Sequence, residues 1–467
     1  MSIPIAPTDA AWLYAEKADM PTHIGCLSIF RIPDGAPESY LLDLVDSFRS
    51  TRIFSRPFNY VLKRSGIGKL LPFWDVLEPD RIDLDYHLRH SALPKPGGER
   101  ELGTLVSRLH SYPLDRSRPL WEFHVIEGLE RNRFALYLKA HHSLVDGVAG
   151  TRILRRMLSD RSEAGLGGPP WSFAERDLPD LGVAAPARPR SQPALLDTIK
   201  LQGAAAWAAG KALAGQWRAS EDEIVRPFAA PITPLNRRIG GKRRFATQNY
   251  ALERIQRIAR RADVSINDVF MALCSAALRR YLGELGKLPD ESLVAGMPVS
   301  YRNAEDTRAG NAISFILSSL HTDLADPVER LSACHESARA AKDSLTGLSS
   351  DSMNQYTMLF MAPYMMQIVL GIGGYARPMH NLILSNVPGP AEALYLNGAT
   401  LEEIYPISLL FNGEALNISV LSYNNRFNVG FTGCRDSLPH MQRIAVYTGE
   451  ALVELEKALK IRRRRTS

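Results

Sequence analysis

The sequence predicts a two-domain protein of mixed α/β class, and three observations carry that reading. The chain has 467 residues, too long for one ordinary core. Segments with the two-residue period of strands alternate with segments of helical period in both halves. Between the halves, from Asp160 to about Pro193, the composition shifts to Gly, Pro, Ser and Ala, as in GLGGPP and APARPRSQP, and reads as a long connector. The expected parts are an N-terminal subdomain over 1–160, a linker with a crossover helix over 161–230, and a C-terminal subdomain over 231–467.

In the first half, GCLSIFRI (25–32) has the character of a strand and APESYLLDLVDSFRS (36–50) that of a helix. After a loop punctuated by Pro and Gly (86–98), Leu102, Leu105, Val106 and Leu109 recur at helical spacing over 100–115. WEFHVIEGL (121–129) and the strand beginning at Arg133 form a hairpin across Glu130 to Asn132. In that second strand Phe134, Leu136 and Leu138 alternate with Ala135, Tyr137 and Lys139, the pattern of a strand with one buried face. A helix takes in 150–159. The Ala-rich stretch 195–217 is a further helix, either a crossover between domains or a helix lying on a membrane.

The second half opens with a strand emerging from a basic turn within 234–252. In the amphipathic helix over 252–263, Leu252, Ile255, Ile258 and Ala259 share a face. The run from Ser265, an N-cap residue, stays apolar for several turns and reads as a buried helix. Strands are expected over 292–300, 313–323, 381–387 and 415–423. A closing helix, 439 to about 459, turns Ile444, Val446 and Tyr447 inward. Within 353–375 fall five of the twelve Met residues. That segment is either a core helix or, because Met is unbranched and polarisable, the wall of a tunnel for apolar ligands with Met358 and Met361 on it.

Chemistry concentrates in HHSLVDG (141–147), where the strand ends. A strand end fixes a side chain, and His has the pKa (~6.5) that suits proton transfer at neutral pH. Neighbours on a strand face opposite ways, so at most one of His141 and His142 enters a given pocket. The plainer readings are a solvated His pair at a turn, and an Asp146–Gly147 step that only forms the turn. Asn267, beside Asp268 at the start of a buried helix, is either a cap or a donor to an oxyanion. Ser385 and Asn386 in SNVPGP stand at a strand end, with Pro388 and Pro390 fixing the turn, and are either residues of that turn or substrate-binding ones. GxSxG, HExxH, GxxxxGK[ST] and GxGxxG are all missing from the sequence, which disfavours a serine hydrolase, a zinc protease and a nucleotide-binding fold.

Composition narrows the partners. Hydrophobic residues at 45% and charged residues at 23% allow a large core that also encloses a ligand. Net charge is +6 and the pI about 9.1, which invites an anionic partner. Without zinc-finger or RNP-type motifs nucleic acid is not expected, whereas the phosphates of a small ligand or an anionic membrane fit equally well. The tail KIRRRRTS is a solvated end or a partial tether. Cys26, Cys274, Cys334 and Cys434 share no CxxC spacing and suggest reduced, buried thiols of a cytosolic protein. Asp9 and Glu16 interrupt any apolar run at the start, so no secretory signal is expected.

HHSLVDG resembles the HHxxxDG motif of the coenzyme-A-dependent acyltransferases, shared with chloramphenicol acetyltransferase and peptide-synthetase condensation domains. Its surroundings are similar to the bacterial wax ester synthase/diacylglycerol acyltransferase family: PTDAAWLYAEKADMPTHIG (7–25), DRSRPLWEFHVIEG (115–128), SINDVFMALCSAALRRYL (265–282), PVSYRN (298–303), Gly310–Asn311, SNVPGP (385–390) and ALNISVLSY (415–423). The resemblance implies two chloramphenicol-acetyltransferase-like subdomains. It also implies transfer of a fatty acyl group from acyl-CoA, as co-substrate with no other cofactor and no metal, to a long-chain alcohol or diacylglycerol. It assigns the general base to His142 and a supporting role to His141, and has Asp146 hold the loop by pairing with an Arg, for which Arg302 is the first choice. Pro119, Leu120 and Trp121 match the family's PLW motif and read as packing beneath the site. Family resemblance raises the oxyanion reading of Asn267 and implies cytoplasmic location with peripheral contact to the inner membrane or lipid inclusions. Two alternatives stay open: condensation onto another acceptor, and a non-catalytic protein that binds lipid surfaces.

Overall fold

The computed structural model describes residues 2–63, 72–165, 167–173, 207–208, 210–215, 224–301 and 312–461. Arg302, Gly310, Asn311, the arginines of the tail and most of 195–217 lie outside them. In the first half the strands are β1 (Ser2–Pro4), β2 (His23–Arg31), β3 (Tyr60–Leu62), β4 (Phe73–Val76), β5 (Leu88–Ala92), β6 (Trp121–Leu129) and β7 (Arg133–His141). The second half has β8 (Arg243–Ala251), β9 (Val294–Tyr301), β10 (Ala312–Ser319), β11 (Leu382–Pro388), β12 (Tyr395–Leu396), β13 (Ala399–Ile407), β14 (Leu416–Tyr423) and β15 (Arg426–Cys434). Two six-stranded sheets dominate, in the orders β12-β13-β2-β7-β6-β5 and β10-β9-β11-β14-β15-β8.

The β6–β7 hairpin forms where expected, its turn using left-handed Arg131 and Asn132. β7 then lies between β2 and β6, and the expectation of one buried face is corrected: both faces are covered. Phe134 and Leu136 pack into a core with Phe48 and Phe123, while Ala135 and Tyr137 meet Val106 on the other side. The cover on that second side is helix α4 (Glu99–Ser111), following α1 (Pro7–Ala15), α2 (Tyr40–Ser50) and the single turn α3 (Leu84–His87) in the chain. α5 (Gly147–Met157) leaves the end of β7.

In the second half, α6 (Leu252–Ala262) buries Ile255, Ile258 and Ala259 as its period predicts. α7 (Ile266–Glu284) is apolar almost all round, the mark of a helix enclosed by core, and Val269, Leu273, Leu278 and Leu282 are sealed from solvent. α8 (Pro327–Asp343), α9 (Ser350–Leu370) and α10 (Gln442–Ala458) complete this layer. α10 turns Ile444 and Tyr447 inward, but Val446 is 51% exposed, correcting the expectation. Two residues from Ile444 is roughly 200° round a helix, the opposite face.

The halves share a sheet. β13, late in the sequence, pairs antiparallel with β2 from Thr400↔Arg31 to Ile407↔Gly25. α4 also reaches the second half: Ser107 Oγ accepts from the Phe245 amide at 2.9 Å and Ser111 Oγ from the Arg243 amide at 2.8 Å.

Candidate active site

β7 and β2 end side by side, with His141 opposite His23. One residue further, the His142 amide donates to the Thr22 carbonyl at 3.0 Å, so the two imidazoles are fixed by backbone pairing on both sides. They diverge as a strand end requires. His141 is fully buried, and its Nδ1 accepts from the Ser143 amide at 3.1 Å. Its Nε2 lies 2.8 Å from Thr22 Oγ1, whose hydroxyl donates to the Trp12 carbonyl at 3.1 Å. That network places the ring proton on Nε2. Burial above all, with the charges of Arg116 and His142, pushes the pKa of His141 down to about 3, so it is a neutral latch that folds the loop back on the strand.

His142 faces the other way and is half-buried. The Trp12 ring of α1 packs on it at 4.4 Å between centroids, and Phe411 stacks on Trp12 at 5.8 Å. Desolvation lowers the pKa of His142 below the ordinary His value, while the Asp146 carboxylate works against the shift. At neutral pH the ring is therefore uncharged and able to accept a proton.

Asp146 is the N-cap of α5, its Oδ1 accepting from the Ala149 amide at 2.7 Å. Its expected partner Arg302 lies outside the described residues. Gly147 stands where the loop ends and the helical run begins, as the first residue of α5; it has no left-handed φ, and a Cβ there would meet open space. Pro119, Leu120 and Trp121 do pack beneath the site. Leu120 and Trp121 are fully buried, the Leu120 carbonyl accepts from the His141 amide at 2.9 Å, and Trp121 Nε1 donates to the Phe58 carbonyl at 2.8 Å.

A second group assembles in the C-terminal half. Asn386 Nδ2 donates to Asn267 Oδ1 at 2.6 Å, joining residues far apart in sequence. That contact occupies the oxygen of Asn267 and leaves its Nδ2 hydrogens to donate elsewhere, while Asn386 Oδ1 is buried without a partner. Asp268 forms a capping box with Ser265 and bonds His335 Nδ1 at 2.7 Å. Ser385 is half-buried next to Asn386 on β11. Within the described residues no hydrogen bond or ring contact joins this Asn pair to the His142 group.

The Met expectation is corrected in part. Met358 is 61% exposed, so it is no wall of an enclosed tunnel, whereas Met361 is half-buried against the C-terminal core. α9 turns Tyr356, Phe360 and Tyr364 inward, and Met358 stands two residues from the first two, roughly 200° round. Sequence reasoning misses Trp12, Thr22, Ser143 and His335, and also Glu16, which lies 3.8 Å from His141 Nε2, and Arg116, which pairs with Glu16 at 2.6 Å. Trp12, Glu16 and Thr22 sit inside PTDAAWLYAEKADMPTHIG, but nothing local says that this run lies against the end of β7. Among the described residues no three His, Cys, Asp or Glu side chains are arranged to hold a metal ion.

Residues 5–270 match the wax ester synthase/diacylglycerol acyltransferase catalytic domain, and 309–456 the C-terminal domain of the same family. A Mycobacterium tuberculosis protein named, provisionally, a diacylglycerol O-acyltransferase is 41% identical over 97% of both chains. The O-acyltransferase WSD of Acinetobacter baylyi is 39% identical over 96% of both. Among solved structures, the wax ester synthase/diacylglycerol acyltransferase of Marinobacter aquaeolei VT8 superposes with a TM-score of 0.78 at 36% identity, covering 98% of this chain and 100% of that one. The first condensation domain of the CDA synthetase gives a TM-score of 0.59 at 15% identity, covering 99% and 97%, a likeness of fold alone. The expected fold is thus borne out, and the chain belongs to the wax ester synthase/diacylglycerol acyltransferase family of O-acyltransferases.

Proposed function

We propose that this chain transfers a long-chain acyl group from acyl-CoA to the hydroxyl of a fatty alcohol or a diacylglycerol, in one step and with His142 as general base. The observation that carries the reading is the setting of His142, the second imidazole of HHSLVDG: it is half-buried under Trp12, and desolvation holds its pKa below the ordinary His value. An alcohol attacks a thioester only as its proton is taken, a contribution of ~10²–10⁴-fold from a placed base. The proton passes from the hydroxyl to His142 as the C–O bond forms, and then to the departing CoA thiolate. Charge that builds on the former carbonyl oxygen needs a donor, and the uncommitted Nδ2 of Asn267 suits that task.

A covalent acyl-cysteine has little support. Burial pushes the Cys26 thiol up to about 11 and Cys334 to about 12, far from the thiolate a nucleophile requires. The chemistry needs no metal or prosthetic group. The long-chain acceptor and the ester product are insoluble, so the reaction belongs at the surface of a membrane or of lipid inclusions. No helix among the described residues is long and apolar enough to cross a membrane.

The test is thiol release from palmitoyl-CoA with hexadecanol and with diacylglycerol, for the wild type and a folded His142→Ala variant. Release that falls ~10²-fold or more in the variant supports the mechanism, and the ratio of the two rates ranks the acceptors. Release indifferent to His142 overturns it.

A further inference from the structure

We infer that the outer face of α9, with the loop that follows it, is the surface by which this protein lies on an anionic lipid layer. The inference rests on the reading above only in naming lipid as the partner. From Ser352 to Ala376 the sequence has no charged residue. The inward side of α9 explains part of that, since Tyr356, Phe360 and Tyr364 are buried. The outward side is apolar as well: Met358 is 61% exposed, Met366 57%, Leu370 62% and, past the helix, Tyr375 76%. Side chains this apolar are single exceptions on an ordinary surface, whereas here they follow one another along one face.

Cations gather at one end of this stripe. Lys17 Nζ sits against Gly371, where an added Cβ would lie 2.7 Å from it. Arg238 Nη1 donates to the Gly371 carbonyl at 2.9 Å, and its guanidinium lies 4.9 Å from the centre of the Tyr375 ring. Arg237 beside it is exposed. Capping the C-terminus of α9 accounts for two of these cations but not for the apolar face they adjoin. An apolar stripe ending in an exposed Tyr among Lys and Arg is the arrangement that holds a helix at headgroup depth.

A protein partner fits less well. Protein interfaces carry about one hydrogen bond per 100–200 Å², and the exposed positions of α9 from Met358 to Leu370 offer no hydrogen-bonding side chain. The acyl region of a lipid layer asks for none. Position agrees with this choice. Behind the stripe, Tyr364 stands edge-on to Phe411 at 6.4 Å, Phe411 stacks on Trp12, and Trp12 packs on His142. The face that would rest on lipid is thus the back of the helix whose front borders the site that consumes lipid.

The experiment is co-sedimentation of the full chain with vesicles, either phosphatidylcholine alone or phosphatidylcholine mixed with phosphatidylglycerol, for the wild type, Met366→Glu/Leu370→Glu and a Val446→Glu control on α10. The expected result is binding of the wild type that strengthens with phosphatidylglycerol and falls about tenfold or more in the α9 variant but not in the control. The circular dichroism spectrum and Tm of the α9 variant should match those of the wild type, which shows that it is folded. Three outcomes overturn the inference: no vesicle binding by the wild type, equal binding by the α9 variant, or a wild-type dimer that the α9 variant splits. Binding is read without turnover, so a failure of the proposed reaction is seen separately.

Discussion

His142 owes its reactivity to two opposed influences, and they can be separated. Burial lowers its pKa, while the anionic Asp146 raises it. Asp146→Asn removes the charge but keeps an oxygen for the Ala149 amide, since Asn caps as well as Asp. The pKa of His142 should then fall further, and the acid limb of the kcat/KM–pH profile should move to lower pH while the plateau near neutrality stays. An acid limb that stays in place, or moves up, would show that Asp146 acts only through the loop. His141 behaves differently. It takes a proton only near pH 3, so it should contribute no limb in the working range. The geometry around the two imidazoles is legible at this scale because HHSLVDG is local: the strand end, the loop and both rings lie within a few residues. Trp12 and the Asn267–Asn386 pair were harder to foresee, because neither segment carries a mark of the other.

Among the elements, α7 is the one on which a single residue decides most. Ser265 accepts from the Asp268 amide at 3.2 Å while Asp268 accepts from the Ser265 amide at 2.8 Å, so the first turn is closed from both sides, with Asn267 inside it. Ser265→Ala should cost about 1 kcal/mol in chemical denaturation and also reduce turnover, because the turn that aims Asn267 loosens. A stability loss with unchanged kcat would remove Asn267 from the chemistry. Helices such as α6 and α7 were legible because their periods or their continuous apolar runs are strong. β13 was not foreseen. ATLEEIYPI carries Glu402, Glu403 and Pro406, and a bulge between Leu401 and Glu403 breaks the alternation that would have announced a strand. α9 was legible as a helix, but which of its Met residues faces out depended on which side the core took.

The molecule as a whole should be sensitive to acid. Burial pushes His87 down to about 4, and His110, His141 and His380 to about 3. Unfolded, each would take its proton near pH 6.5. Between that value and the folded ones the unfolded chain binds more protons, so stability falls as pH drops below about 6.5. Glu414 acts in the opposite sense. Burial raises it to about 7, so its contribution is complete below about 4.5 and is lost as pH rises through 7. One group against four leaves the histidines in control. Tm should therefore decline steadily from about pH 7 to about pH 5, and a flat profile would mean that these rings are hydrated in solution.

The pairing of β13 with β2 bears on how the protein is made. When β7 leaves the ribosome, the first sheet has β5, β6, β7 and β2 in hand, but the outer edge of β2 has no neighbour until Ile407 has been synthesised. At ~5–20 residues per second that delay is on the order of tens of seconds. For all of it an apolar strand presents open backbone to its surroundings, the situation in which nascent chains pair with the wrong partner. Yield in a cell thus depends on whatever shields that edge during translation, and a slow stretch of codons before β13 would lower it without altering a single contact of the finished fold.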